Sequence, residues 1–199
     1  MIQFMVRSRA IQPLELSGSR MTPPQYREFA AAHPELRIER TAQGEVIVMA
    51  PAQSRTGYRN SELTAQIRDW ARADGRGLAF DSSAAFDLPN GSNRSPDWVL
   101  LSRLRLLAPE ETSDYIPLCP DFVAELRSKS DRLKTLQAKM AEYLDNGARL
   151  GWLIDPVEGK VHIYRPGAAH EVLRPPSLTA GPEMPGLTVD LATIWNPPI

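Results

Sequence analysis

A single cysteine, Cys119, in 199 residues excludes an internal disulfide, which fits a reducing compartment. An excess of one charge sign is also missing. The 24 acidic and 23 basic side chains leave a net charge of −1, so nothing global draws the chain to nucleic acid or to a membrane surface, and any polyanion site has to be local. Long apolar runs are absent too: the opening MIQFMV is interrupted by Arg7 and Arg9 well before the length of a signal-peptide core or a membrane span. The expectation is a soluble, cytoplasmic protein. No glycine-rich phosphate loop of either common spacing occurs, which excludes a P-loop enzyme, a kinase or a Rossmann oxidoreductase. A GxSxG elbow is missing as well, and with it the usual serine hydrolase. The three histidines, His33, His162 and His170, are too scattered to suggest a histidine-rich metal site. Carboxylates are the chemistry that remains.

Proline, by contrast, is plentiful. Its 18 copies fall almost entirely between periodic segments, as expected of a residue without an amide donor. TPPQYREFAAAHP predicts a short helix, with Thr22 as N-cap and prolines in its first turn. LRIER and EVIVMA around TAQG predict a hairpin. A second helix is expected from about Tyr58 to Ala73, with Leu63, Ile67, Trp70 and Ala71 at helical spacing. The runs GLAFDSS, AAFDLP, DWVLLS and DFVAELR are strand-like. A third helix is expected from about Arg132 to Asn146, capped by Ser130 or Asp131 and closed by Gly147. RLGWLID and KVHIYR form a hairpin through a turn with Gly159, and short strands lie around GLTVDL. This order predicts an α/β fold with a mixed central β-sheet flanked by α-helices and extra β-hairpins. Residues 1–20 are expected as an N-terminal extension, and residues 21–199 as one domain with a Pro/Gly-rich C-terminal segment.

Two acids stand out. In RSPDWVLL, Asp97 follows a proline at the mouth of an apolar strand. In CPDFVAELRS, Glu125 lies near the end of a strand otherwise fit for burial, where a carboxylate is costly unless paired or bound to metal. Each has a structural reading: a turn aspartate before a strand, and a strand-end glutamate paired with an arginine. Together, on neighbouring strands, they make an oxygen-rich site suited to Mg²⁺ or Mn²⁺, the outline of a phosphodiester hydrolysis centre. Such a centre needs a cation close by. Arg127 follows Glu125 by two residues on the same face of the strand. On the third helix, Leu133, Leu136, Met140, Tyr143 and Leu144 form one apolar stripe, with Gln137 and Lys139 on its opposite flanks. Lys139 can lay its methylenes along the sheet and bring its ammonium to Glu125, or remain a solvated boundary lysine. Gln137 is either a site residue or an ordinary helix-boundary hydrogen-bonder.

The runs GYRNSELTAQIRDWA, FDSSAAFDLPNGSNRSPDWVLLS, CPDFVAELRSKSDRLKTLQAKMAEYLDNGARLGWLIDP and VHIYRPG together resemble the Uma-type family of bacterial restriction endonucleases, a branch of the PD-(D/E)XK superfamily. The resemblance covers roughly residues 22–195. It implies a restriction-endonuclease-like core, a divalent metal held by Asp97 and Glu125, DNA as substrate, and Lys139 as a relocated motif lysine. The motif's third position is Arg127 here, which can stabilise charge but cannot act as a base. Relatives often carry a histidine near the start of the second helix, where this chain has Tyr58 and Asn60, so no histidine role transfers. SPDWV is also shortened by one or two residues relative to many relatives, which bears on the aim of Asp97. An early acid often joins the metal site in this superfamily; Glu39 is the candidate, ahead of Glu45. Asp81 is either a structural cap or a partner of the site.

Between Glu125 and Lys139 lie five basic residues, Arg127, Lys129, Arg132, Lys134 and Lys139, against two acidic ones, Glu125 and Asp131, a local excess able to hold a phosphate backbone. No base-reading motif accompanies it. Two expectations follow: a DNA endonuclease, expected as a homodimer because cutting both strands commonly needs two sites, or a catalytically decayed nuclease-like fold that binds nucleic acid or serves in assembly.

Overall fold

Thr22 and the two prolines behind it start the first helix, α1 (Pro23–Ala32), where the missing proline amides cost nothing. The Gln25 side chain turns back to accept the Thr22 amide at 2.9 Å. In the computed structural model, residues 19–102 and 115–199 are described, the side chains of 101 and 102 excepted; residues 1–18, most of the expected N-terminal extension, lie outside the described residues. Two units divide the chain, Met1–Ala50 and Pro51–Ile199. In the first, β1 (Ile38–Arg40) and β2 (Val46–Val48) pair antiparallel with Ile38 opposite Val48, the hairpin expected around TAQG. Gly44 is required at its turn: φ is +87°, and a Cβ would stand 2.9 Å from the Met21 carbonyl oxygen. The Tyr26 hydroxyl donates to the Ile38 carbonyl at 2.9 Å and ties helix to hairpin.

The second unit begins with α2 (Ser54–Asp74), followed by β3 (Gly77–Asp81), β4 (Phe86–Asp87), β5 (Asn93–Arg94), β6 (Trp98–Ser102) and β7 (Phe122–Leu126). Then come α3 (Leu133–Asp145), β8 (Leu150–Asp155), β9 (Lys160–Tyr164), β10 (Glu171–Leu173), β11 (Ser177–Thr179), β12 (Thr188–Asp190) and α4 (Ala192–Trp195). Helix α2 starts four residues before the position expected from its pattern. Its buried side chains are Leu63, Ile67 and Ala71, so the solvated first turns, containing Ser54, Thr56 and Gly57, carry no apolar period. Gly75 closes it in the left-handed conformation, φ 73°.

Six strands form the central sheet in the order β10-β9-β8-β7-β6-β3. It is mixed, as expected: β7 and β8 run parallel, and their neighbours on either side antiparallel. Parallel strands need a crossover, and α3 supplies it between β7 and β8. The period of two then sorts side chains onto opposite faces. Trp98, Ala124, Trp152 and Ile163 join Leu63, Ile67 and Ala71 of α2 in one core, which Ile194 and Trp195 of α4 complete. Val99, Val123 and Leu153 join Met140 and Tyr143 of α3 in the other. Leu133, Leu136 and Leu144 pack at the margin of that second core, so the whole expected stripe faces the sheet.

The start of α3 differs from expectation. Arg132 is the N-cap and gives no side-chain cap, because Asp131 accepts the Ser128 amide at 2.7 Å and Ser130 meets the Ser128 hydroxyl at 2.9 Å. These short polar side chains fix the turn leaving β7 instead of the helix amides. None of the described helices is long and apolar enough to cross a membrane.

Candidate active site

Trp98 stands opposite Ala124 and Val99 opposite Val123 in the β6–β7 ladder, and continuing that register by one residue sets Asp97 opposite Glu125. Directly opposed residues of an antiparallel pair share a face, with Cβ atoms about 5 Å apart. The Leu126 amide donates to Asp97 Oδ2 at 2.9 Å, which continues the ladder through a side chain and pins the carboxylate against β7. On the other face, the Trp98 indole N–H donates to Thr64 Oγ1 at 2.7 Å and to the Asn60 carbonyl at 3.2 Å. Strand entry is thus held from both sides, with Asp97 half-buried there.

Glu125 is 4% exposed, and α3 answers its burial. Lys139 Nζ lies 2.8 Å from Glu125 Oε1, and the Tyr143 hydroxyl donates to the same oxygen at 3.0 Å. The two donors are one helical turn apart, so they project from one side of α3. Lys139 also lies 5.8 Å from the centroid of the Tyr143 ring. Glu125 and Lys139 therefore meet on the α3 face of the sheet, the face on which the extended register also sets Asp97. Tyr143 joins them, although its place in an apolar stripe marks it only as core; the available signal was its hydroxyl, since a buried tyrosine O–H usually finds a partner.

Arg127, Gln137 and Asn60 are turned away from that pair. Arg127 is engaged away from Glu125: its Nη1 contacts Asp155 Oδ2 at 2.7 Å and Glu158 Oε1 at 3.7 Å, and its Nε donates to the Asp131 carbonyl at 3.4 Å. The cause is register. Glu125 sits beside Leu153 and Leu126 beside Ile154 in the parallel β7–β8 ladder, so the next residue, Arg127, meets Asp155. Gln137 is two residues from Lys139, about 200° around the helix, on the flank turned from Glu125. Asn60 lies on α2, across the sheet, and serves through its backbone carbonyl. Glu39 belongs to the first unit, buried on β1 opposite Ile47, and Glu45 is an exposed residue there, its backbone paired with that of Arg20 in an isolated antiparallel β-bridge. Asp81 caps a turn, accepting the Ser83 amide at 2.9 Å.

The family model of Uma2, described as a putative restriction endonuclease, matches residues 23–192. The chain belongs to the Uma2 family. A crystal structure described as a putative nuclease belonging to DUF820, from Anabaena variabilis ATCC 29413, is similar over 88% of this chain and 97% of that one, with TM-score 0.76 and 20% identity. At that identity the likeness shows the fold, and the fold of this Uma2 protein is nuclease-like. No curated protein matches the chain.

One further buried group of this Uma2 chain links stability to pH. His162 lies on the α3 face of β9, opposite Leu153, 5% exposed. Both of its ring nitrogens are buried without a hydrogen-bond partner. Burial lowers its pKa from the ordinary 6.5; the charges of His170 and Lys160 act the same way, while Asp155 and Glu158 oppose them. A depressed histidine stays neutral in the fold while the unfolded chain takes up a proton. Stability is therefore full above about pH 6.5 and falls as pH drops from there toward the folded value, at up to about 1.4 kcal/mol per pH unit. Urea unfolding of wild type and His162→Gln between neutral and mildly acidic pH checks this: the substitution removes most of the slope in that window, and an unchanged slope assigns it to other groups.

Proposed function

We propose that this protein is a divalent-metal-dependent endonuclease that hydrolyses DNA phosphodiester bonds on the α3 face of its central sheet. The observation that carries it is the buried Lys139–Glu125 pair at 2.8 Å on the strand whose Leu126 amide holds Asp97, with Asp97 opposite Glu125 by extension of the β6–β7 register. The donors fit a small hard cation. Mg²⁺ and Mn²⁺ take carboxylate oxygens and keep several waters or substrate phosphates, which suits a site offering two acids. Among the described residues no group of three or more His, Cys, Asp or Glu side chains is gathered for a metal, so water and phosphate oxygens would complete the shell. When bound, the metal supplies Lewis-acid polarisation of the scissile phosphate and a water of lowered pKa.

The protein's residues do the rest. Asp97 and Glu125 hold the cation and aim it. Lys139, carried on the rigid face of α3, stabilises the charge developing on the phosphate or orients the attacking water. Of the five basic residues from Arg127 to Lys139, two are held in buried or half-buried ion pairs, whereas Lys129, Arg132 and Lys134 are exposed around the start of α3. Those three would follow the phosphate backbone, each contact steepening the salt dependence of binding by about 0.9 in the log–log slope. Arg127 contributes by fixing the turn between β7 and α3.

Conversion of supercoiled plasmid to relaxed or linear product tests the proposal. Cleavage is expected with Mg²⁺ or Mn²⁺ and is abolished by EDTA. A homodimer with two sites would give linear product early, and a single site would accumulate relaxed circle first. Plasmid that is retained in a gel-shift yet never cut in either metal would replace this assignment with a nucleic-acid-binding module on a nuclease-like fold.

A further inference from the structure

Tyr143 is fully buried in the core beneath α3, where phenylalanine would fill the same space. A hydroxyl in that position has to be satisfied or it costs stability. Here it donates at 3.0 Å to Glu125 Oε1, the oxygen that Lys139 also meets at 2.8 Å. The two donors differ in kind. Lysine is a flexible four-carbon stem carrying a point charge; the tyrosine ring has only two torsions and lies fully buried in the close-packed core it shares with Val99, Val123 and Met140.

We infer that Tyr143 is the positioning residue of the acidic centre: its hydroxyl fixes the rotation of the Glu125 carboxylate for metal binding, which leaves Lys139 able to turn toward the substrate phosphate. The inference rests on the assignment of Asp97 and Glu125 as metal ligands, and it divides between two side chains what a single motif lysine would do. Tyrosine supplies geometry and lysine supplies charge. Groups that orient a metal ligand typically change metal affinity or activity by about 10–100-fold when removed.

The test is Mn²⁺ binding by the full chain, followed by electron paramagnetic resonance of free Mn²⁺, together with the kinetics of plasmid cleavage. Tyr143→Phe is expected to weaken Mn²⁺ binding by about 10-fold or more and to lower kcat in step, with KM for DNA unchanged and melting still cooperative. Lys139→Met should do the reverse: Mn²⁺ affinity is kept or tightened, since a competing cation has gone, while kcat falls. A merely structural tyrosine would not separate the two variants in this way. Tyr143→Phe binding Mn²⁺ like wild type while Glu125→Ala loses it overturns the inference alone. Wild type binding no Mn²⁺, or binding it equally after Glu125→Ala, overturns the metal assignment and the inference with it.

Discussion

Asp97→Asn is expected to lower plasmid cleavage by about a thousandfold or more, because the metal supplies several kcal/mol of transition-state stabilisation and each 1.4 kcal/mol is about tenfold in rate. The fold should hardly change. Asparagine keeps a carbonyl oxygen to accept the Leu126 amide, now 2.9 Å from Asp97 Oδ2, and the position is only half-buried, so the ladder and strand entry survive. What is lost is the negative charge and a strong ligand for a hard cation. Glu125→Gln should reduce cleavage as far but also destabilise the chain, since it removes the charge 2.8 Å from the Lys139 ammonium at a site where both side chains are largely buried. The informative comparison is therefore rate against melting temperature: Asp97→Asn lowers the rate alone, Glu125→Gln lowers both. Asp97→Asn cutting as wild type does would remove Asp97 from the centre, whatever Glu125 does.

The contrast between these two acids also shows what a sequence discloses. Strand β7 was legible because Phe122 to Leu126 is an apolar run with one misplaced charge, and α3 because its apolar residues keep a helical period over three turns. Lys139 could be placed on a flank by counting angles along the helix, and its flank does turn to Glu125. Register carries a different kind of information. That Trp98 stands opposite Ala124, and hence Asp97 opposite Glu125, depends on a pairing across 26 positions that no local pattern encodes. Arg127 shows the consequence. Its parity puts it on the same face as Glu125, yet the crossover through α3 lays β8 alongside and delivers Asp155 to it. Tyr143 was obscured for another reason: a stripe of apolar residues accounts for its ring completely and says nothing of its hydroxyl. For Asn60, which stands where relatives often carry a histidine, the local pattern does not reveal which face of the sheet its helix covers. Local periodicity thus gives elements and faces within elements, while the pairing of faces comes from long-range packing.

Arg127→Ala is expected to cost about 3–5 kcal/mol of folding stability, the usual consequence of leaving a buried charge without its partner. Asp155 is 0% exposed, and the Arg127 guanidinium at 2.7 Å faces it from a side chain that is itself 16% exposed. The carboxylate cannot simply relax toward water, because its other oxygen accepts the Val157 and Glu158 amides at 2.9 and 3.1 Å and thereby shapes the β8–β9 turn. Asp155→Asn preserves those acceptor contacts while removing the charge, so Arg127→Ala combined with Asp155→Asn should recover much of the lost stability; contacting residues of this kind couple by about 0.5–3 kcal/mol in a double-mutant cycle. Urea midpoints of the four proteins read the coupling directly. The same set decides what the arginine at the motif's third position does. As an anchor of the β7–α3 turn, Arg127 can be removed, in protein kept folded at low temperature, without altering the salt dependence of DNA binding. As a phosphate contact, its removal would instead lower the slope by about 0.9, and additive stability effects would show that Asp155 does not depend on it.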